Sequence, residues 1–290
     1  MKRCATVRKT RDFLWGQPAV HCISPGPAIT SGAPGKPGGR VAENQRIAQL
    51  VREIHRESPD KGYRRIRDDL DKYYHTPVND KRTLRICRGL GIQSVVKHAP
   101  HGCTRAASSP RQLAENVLNR QFSADRPNEK WLTDVTEFHY YTGTNMRKLY
   151  LSAILDLCDR RIVSFVIRDT NDAALVHRTL AQALEGNPGA RPLLHSDRGS
   201  AYTTQIFHDK LAAAGITQSM SRVGKCIDNG PMEGFWGILK RERYYGRRFT
   251  SREQLVKMIQ EYITYYNFHR LQRGLGVRTP MEVHDRLLAA

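Results

Sequence analysis

Three carboxylates occupy positions from which they could act on phosphodiesters. Asp134 lies within KWLTDVTEFHYY, Asp197 follows the short apolar run of RPLLHS, and Glu233 comes just after CIDNGP. Cleavage by two hard cations requires convergent carboxylate oxygens that hold Mg²⁺ or Mn²⁺ about 3.5–4 Å apart. One cation activates water or a 3′-hydroxyl, and the other steadies the leaving oxygen. Adjacent strands and one helix can gather three acids from distant parts of a chain. Here 62 residues separate Asp134 from Asp197, and 35 separate Asp197 from Glu233. Asp156, near the end of KLYLSAILDL, competes for a place in the set. Each acid also has an ordinary reading: an Asp at a strand end commonly makes a turn or cap, and a Glu on a helix face is commonly solvated.

The elements that must position these acids follow from periodicity. KWLTDVTEFHYY, KLYLSAILDL and RIVSFVIRD are strand-like, with Gly143 and Asn145 in the first turn and Cys158 to Arg161 in the second. DAALVHRTLAQAL places Leu175, Val176, Thr179, Leu180, Ala183 and Leu184 on one helical stripe, stopped by Gly186 and Pro188. RPLLHS reads as a short buried strand, TTQIFHDKLAAAG as a helix and ITQS as a further strand. The order β-β-β-α-β-α-β-α predicts an α/β fold, a mixed sheet with helices on its faces. In the last of these helices Pro231 suits the first turn, and Asp228 or Asn229 can help cap it. Met232, Phe235, Trp236 and Leu239 form its packing stripe, while Glu233 shares another face with Gly237, Lys240 and Tyr244. Gly237 leaves room for a close approach, and Lys240 and Arg241 suit phosphate contact. Arg222 and Lys225, in the preceding loop, are further candidates for DNA contact. His195 reads either as an orienter of metal-bound water or as a packed strand-end histidine, and Trp131 and Trp236 read as core rather than as base-stacking platforms.

Ahead of this unit, residues 1–42 are rich in Pro and Gly and predict a disordered leader. From Glu43, Ile47, Leu50, Val51 and Ile54 mark an amphipathic helix. A second helix is expected over 63–74, and a third runs from an Asn79 cap to Arg88, ended by Gly89 or Gly91. Three short helices rich in Arg and Lys over 43–97 suggest a small DNA-binding module. Residues 98–125 read as a linker with a helix near 111–120. His98, His101 and Cys103 fall short of a zinc set and are loop residues. After 126–245, residues 246–290 supply a last helix, with Ser251 and Gln254 as a capping box, and a basic tail.

The formal charge is +19, and its distribution narrows the function. Residues 121–233 carry equal numbers of acidic and basic side chains, so the whole excess lies in the flanks. A neutral centre between basic arms fits a polyanion held by the flanks while chemistry proceeds at the middle. No run of 18 uncharged apolar residues exists to span a membrane, and no signal peptide is visible. Six scattered cysteines without a C-x-x-C pair suggest reduced thiols, and a bacterial cytoplasmic, nucleoid-associated location is expected.

WLTDVTEF, HSDRGSAY and SMSRVGKCIDNGPMEGFWGILK together resemble the transposases of bacterial insertion sequences, of the OrfB type in the IS-three group, relatives of retroviral integrases. The resemblance runs from about residue 43 to the C-terminus. It implies an RNase-H-like core over 126–245 in which Asp134, Asp197 and Glu233 bind two Mg²⁺ or Mn²⁺ ions. The 35-residue interval between the last two is typical of that family. It also places KGYRRI, with Arg64 and Arg65, and VNDKRTLRICRGLGI in a helix-turn-helix-like domain ahead of the core, and YYNFHRLQRGLGVRTPMEV in a C-terminal signature. Its implied partners are the terminal inverted repeats of an element, target DNA, further copies on paired ends, and an upstream reading-frame product carrying a helix-turn-helix and a leucine zipper. Neither of those two segments is found in these 290 residues, residues 1–42 do not share the resemblance, and Ala201 stands where Gln is common.

The expected function is therefore a DDE-type transposase that cleaves element ends and transfers the 3′-hydroxyls into DNA. The rivals are an RNase-H-like nuclease, a phage-type integrase, and a non-catalytic DNA-binding regulator of transposition.

Overall fold

The computed structural model describes residues 39–96 and 113–289, apart from the side chain of Cys226. The bulk of the expected leader, His98, His101 and Cys103 lie outside the described residues. Of two compact units, Met1–Glu43 contributes only the opening of the first helix to this description, and Asn44–Ala290 holds every other element.

Three helices come first: α1 (Gly39–Glu57), α2 (Tyr63–Lys72) and α3 (Asp80–Gly89). Their apolar positions recur at helical spacing, so Ile47, Val51, Ile54, Ile66, Leu70 and Cys87 close into one small core. Asn79 caps α3 as expected, its side chain accepting the Arg82 N–H at 2.7 Å.

The central unit runs β1 (Lys130–Thr142), β2 (Asn145–Asp156), β3 (Ile162–Arg168), α4 (Ala173–Gly186), β4 (Leu193–Ser196), α5 (Gln205–Ala213), β5 (Thr217–Met220) and α6 (Gly230–Leu239). The five strands form one sheet in the order β3-β2-β1-β4-β5. β1 and β2 pair antiparallel from Trp131 opposite Asp156 to Thr142 opposite Asn145, so Asn145 opens β2 and only Gly143 and Thr144 turn the chain. β4 lies parallel to β1, and β5 parallel to β4. Side-chain alternation gives the sheet two apolar faces. Leu132, Phe138, Leu149, Leu151 and Ala153 pack beneath α6 and α7 (Arg252–Phe268), while Trp131, Ile154 and Leu194 pack beneath α4 and α5. The helix α8 (Pro280–Leu288) follows, opened by a full capping box of Thr279 and Glu282.

Two local expectations are corrected. No helix forms over 113–120; this stretch lies against the β5 edge, where Glu115 O accepts the Met220 N–H and Leu118 N–H donates to Ser219 Oγ. Leu118 is buried in the core, so tertiary pairing takes the backbone groups a helix would have used. At α7, Ser251 caps Gln254 N–H, but the Gln254 side chain accepts from Thr250 N–H, so the return bond of the expected box goes one residue earlier.

Candidate active site

The strand register brings the first two acids together. Lys130, Trp131 and Leu132 lie beside Leu193, Leu194 and His195 in the parallel pair. β4 ends at Ser196, and Asp197 follows it near enough to Asp134 for its charge to act on that carboxyl. Both share the parity of Leu132 and Leu193, which face the α6 and α7 side of the sheet. Antiparallel pairing puts Ala153 on the other flank of Asp134, so a methyl group leaves the carboxylate space.

α6 supplies the third. Met232, Phe235, Trp236 and Leu239 are buried, which fixes the roll of the helix, and Glu233 stands exposed in its first turn. Two bonds, one just before the helix and one in its second turn, seat α6 on β1. Trp236 Nε1 donates to Asp134 Oδ2 at 3.0 Å, and Asn229 Nδ2 donates to the carbonyl of Thr133 at 3.3 Å. Burial pushes the Asp134 carboxyl up to about 7, helped by the charges of Asp197 and Glu233, against the opposing pull of the Val135 N–H and the Trp236 indole. Asp197 is exposed at the end of β4, yet protein crowding around its carboxyl raises its pKa, with the Gly199 N–H acting the other way. That N–H donates to Asp197 Oδ1 at 2.8 Å. A Cβ at residue 199 would stand 2.9 Å from the same oxygen, so the glycine keeps the carboxylate's cradle open.

The arrangement is thus a group of like charges whose mutual repulsion a hard divalent cation would relieve. As they stand, no three His, Cys, Asp or Glu side chains among the described residues converge on one metal position. Asp197 and Glu233 both lie near enough to Asp134 for their charges to act on its carboxyl.

The other candidates separate cleanly. Asp156 is fully buried and accepts the N–H groups of Asn128 (2.6 Å) and Cys158 (2.8 Å) and the Trp131 indole (3.2 Å), so it anchors the β1–β2 end rather than joining the acids. His195 is fully buried between Ser219 Oγ (2.8 Å) and Ser221 Oγ (3.1 Å), and burial lowers it to about 4, so it is a neutral packing residue. Trp131 is core, and Trp236 is core with one polar task.

Neither Asp228 nor Asn229 caps α6 through its side chain. Asp228 instead accepts from the Arg222 backbone and guanidinium, Arg120 and Asn116, and the Arg222 bonds hold its carboxyl well below the usual range. Arg222 therefore closes its own loop, while Lys225 stands exposed. Lys240 lies with its ammonium 5.1 Å from the Phe138 ring centre, its pKa lowered by burial and drawn back up by Glu137 and Asp134. Arg241 folds its guanidinium over Gly237, filling the space that glycine leaves. Arg65 bonds Asp60, Glu242 and Tyr265, so it fastens α2 to the segment after α6 rather than facing solvent; Arg64 is exposed.

Sequence reading missed a basic stripe on α3. Lys81, Arg85 and Arg88 are exposed at i, i+4 and i+7, with Thr83 and Cys87 buried behind them. The signal is present in the spacing, whereas in KGYRRI only Arg64 is exposed and Arg65 is structural.

Known proteins agree with this architecture. Residues 124–226 and 214–280 match two models described as integrase core domain, and residues 42–100 match an HTH-like domain. A transposase-like protein of Haemophilus influenzae is 40% identical over 211 residues, covering 73% of this chain and 95% of that protein. InsK of insertion sequence element IS150 from Escherichia coli K12 is 37% identical over 242 residues, 83% of each chain. The transposase of IS904 from Lactococcus lactis is 30% identical over 255 residues, covering 85% of this chain and 96% of that one.

Proposed function

We propose, from the fact that this chain belongs to the insertion-sequence transposases of the IS-three group, that Asp134, Asp197 and Glu233 are the catalytic acids of its DNA cutting and joining. One observation carries the assignment: Asp134, bonded by Trp236 of α6, feels the charges of both Asp197 and Glu233, and burial together with those charges pushes it up to about 7. The donor set, three carboxylates, fits two Mg²⁺ or Mn²⁺ ions. When bound, such ions activate the attacking oxygen and neutralise charge on the leaving one.

The chain's own residues do the positioning. Trp236 and Gly199 fix the carboxylates of Asp134 and Asp197, so little reorganisation remains when substrate enters. In the first step water attacks the phosphorus at the element's end, the P–O3′ bond breaks, and a 3′-hydroxyl is freed. In the second that hydroxyl attacks a target phosphorus, forming one phosphodiester as another breaks. The exposed α3 stripe would hold duplex DNA, and Lys225 a phosphate near the cut. Paired ends call for more than one copy, and an upstream reading-frame product would add end recognition.

The test uses a supercoiled plasmid carrying the element's own ends, purified protein and Mg²⁺ or Mn²⁺, with breaks mapped to the nucleotide. Asp134→Asn, Asp197→Asn and Glu233→Gln should each lower cleavage by about a thousandfold or more, with DNA binding in a gel-shift assay retained. Equal loss of binding and cleavage would overturn these roles, and scattered nicks in place of breaks at the ends would favour a nuclease.

A further inference from the structure

A tight loop, residues 269–279, joins α7 to α8. Gln272 and Arg278 pair across its neck: Gln272 N–H donates to the carbonyl of Arg278, and Val277 N–H to that of Gln272, both at 3.0 Å. Between them Gly276 and Val277 take φ +68° and +58°. A β-branched residue is disfavoured in the left-handed region, and such a conformation persists only where its surroundings over-determine it. Both ends of the loop are fixed as well. Arg270 donates to Glu242 at 2.8 Å, and Thr279 opens α8 with its capping box. The loop is held rigid at a cost in backbone strain.

What this loop presents is Arg273. Its guanidinium donates to both oxygens of Asp68 (2.8 and 2.9 Å), to both oxygens of Asp80 (3.2 and 3.0 Å) and to the carbonyl of Arg64 (3.1 Å). Arg64 and Asp68 belong to α2, and Asp80 is the first residue of α3, so one side chain ties both helices to the loop after α7. A planar fork of donors can serve two carboxylates at once, which an ammonium cannot. Two single contacts flank it: Lys72 meets Glu282 at 2.7 Å, and the Tyr73 hydroxyl donates to the carbonyl of His269 at 3.0 Å. With its charge met by two acids, Arg273 is poorly placed to serve a phosphate, and its task is geometric. Asp80 opens the helix that carries the Lys81, Arg85 and Arg88 stripe, while α7 packs on the sheet that bears Asp134.

We propose that Arg273 is the positioning residue that sets where the DNA is cut: by clasping Asp68 and Asp80 it holds α3 at one distance and angle from the acids, so that DNA seated on α3 presents one phosphodiester to them. The inference rests on the reading of Asp134, Asp197 and Glu233 as the cleavage site and of α3 as the helix that holds duplex. A cut confined to one bond requires that the binding element and the reacting groups keep a fixed separation, since a misplacement of about 1 Å already costs a large part of the rate. A strained loop around a doubly bonded arginine supplies that rigidity.

The experiment maps breaks to the nucleotide on the element's own end for wild type, Arg273→Ala, Asp80→Asn and the two substitutions combined. Arg67 also reaches Asp68, at 3.0 Å, so Arg273→Ala leaves that buried carboxylate a partner, and thermal denaturation checks that the fold is kept. In Arg273→Ala, cleavage at the main position should fall about tenfold or more, with the remaining breaks spread over neighbouring bonds. Asp80→Asn, the milder change, should shift the pattern the same way, and the combined variant should be no worse than Arg273→Ala alone. Breaks that stay at one bond in Arg273→Ala overturn the proposal. So does a fall of about one unit in the slope of log affinity against log salt, which would make Arg273 a phosphate ligand. A second readout needs no cleavage: in a Glu233→Gln background, the footprint on the DNA should end sharply at the cut site with Arg273 present and blur there with Arg273→Ala. A sharp edge in the variant also overturns the proposal. Were wild type to cut nowhere, the catalytic reading would fail, and the footprint would still decide whether Arg273 fixes α3 to the core.

Discussion

β1 meets two sets of acids, and they are treated in opposite ways. At its start, Asp156 lies opposite Trp131 with three N–H donors on its oxygens, and the nearby Asp159 is bonded to Arg161 N–H and to His284 at 2.7 Å. Three residues further along, Asp134 feels the charges of Asp197 and Glu233, and among the described residues its one side-chain donor is the Trp236 indole. Burial raises both Asp134 and Asp156, so a raised pKa does not distinguish them. The donors do. A carboxylate whose acceptor sites are filled by backbone and side chains holds the fold, whereas carboxylates crowded against one another leave oxygens for a ligand the protein does not supply.

The sharpest way to break this contrast is to remove each acid and measure stability. Asp156→Ala strands two backbone N–H groups and an indole in the interior, which should cost about 3–5 kcal/mol. At roughly 2–4 °C per kcal/mol for a chain of this size, the thermal midpoint should fall by about 10 °C. Asp134→Asn keeps an acceptor for Trp236 and removes a repelling charge, so its midpoint should hold or rise. If Asp134→Asn falls as far as Asp156→Ala, the two ends of β1 are alike and the catalytic one is structural after all.

A smaller effect tests the same difference through pH. The Asp134 carboxyl titrates near 7 when folded and near 3.8 when unfolded. Between those values the native state holds the extra proton, so this group's contribution to stability is greatest below about 4 and is lost as pH rises through 7. A divalent cation needs the ionised form and must displace that proton. The affinity for Mn²⁺, followed by thermal shift or calorimetry, should therefore rise up to about tenfold per pH unit below 7 and level off above it. Asp134→Asn should abolish that slope, and Asp156→Asn should leave it. A flat profile in the wild type would mean that the carboxyl group does not meet the cation.

The two ends of β1 were not equally legible in the sequence. The strands, α4, α5 and the α6 stripe follow from side-chain periodicity, because burial of one face enforces it, and the acids stand out as polar positions within β1 (Asp134), after β4 (Asp197) and at the start of α6 (Glu233). The resemblance to transposases, carried by residues around Asp134, Asp197 and Glu233, joined them into a set. Nothing local revealed that Asp156 and Asp228 are anchors, since their donors come from residues as distant as Trp131 and Arg120. The segment 113–120 misled for a related reason: its composition allows a helix, and only the open edge of β5 makes an extended path better. Asn229 shows the same limit. Asn before a helix suggests a cap, yet its side chain clamps α6 to Thr133, a contact 96 residues back.

The smallest predicted effect carries the contrast between filled and open groups over to the basic residues. Arg65 is an anchor in the manner of Asp156, for its guanidinium joins Asp60, Glu242 and Tyr265, and Glu242 in turn holds Arg270 at 2.8 Å and Tyr262 at 3.0 Å. Arg85 is exposed on α3, with no carboxylate partner among the described residues. Each phosphate contact contributes about 0.9 to the slope of log affinity against log salt on duplex DNA. Arg85→Ala should therefore lower that slope by about one unit and leave the thermal midpoint within a degree or so. Arg65→Ala should do the reverse, lowering the midpoint while the slope stays near its wild-type value, because the charge it removes was already neutralised inside the protein. A loss of slope in Arg65→Ala would show that α2 leaves Glu242 when DNA arrives, making the ion-pair network around that residue a latch instead of a fastening.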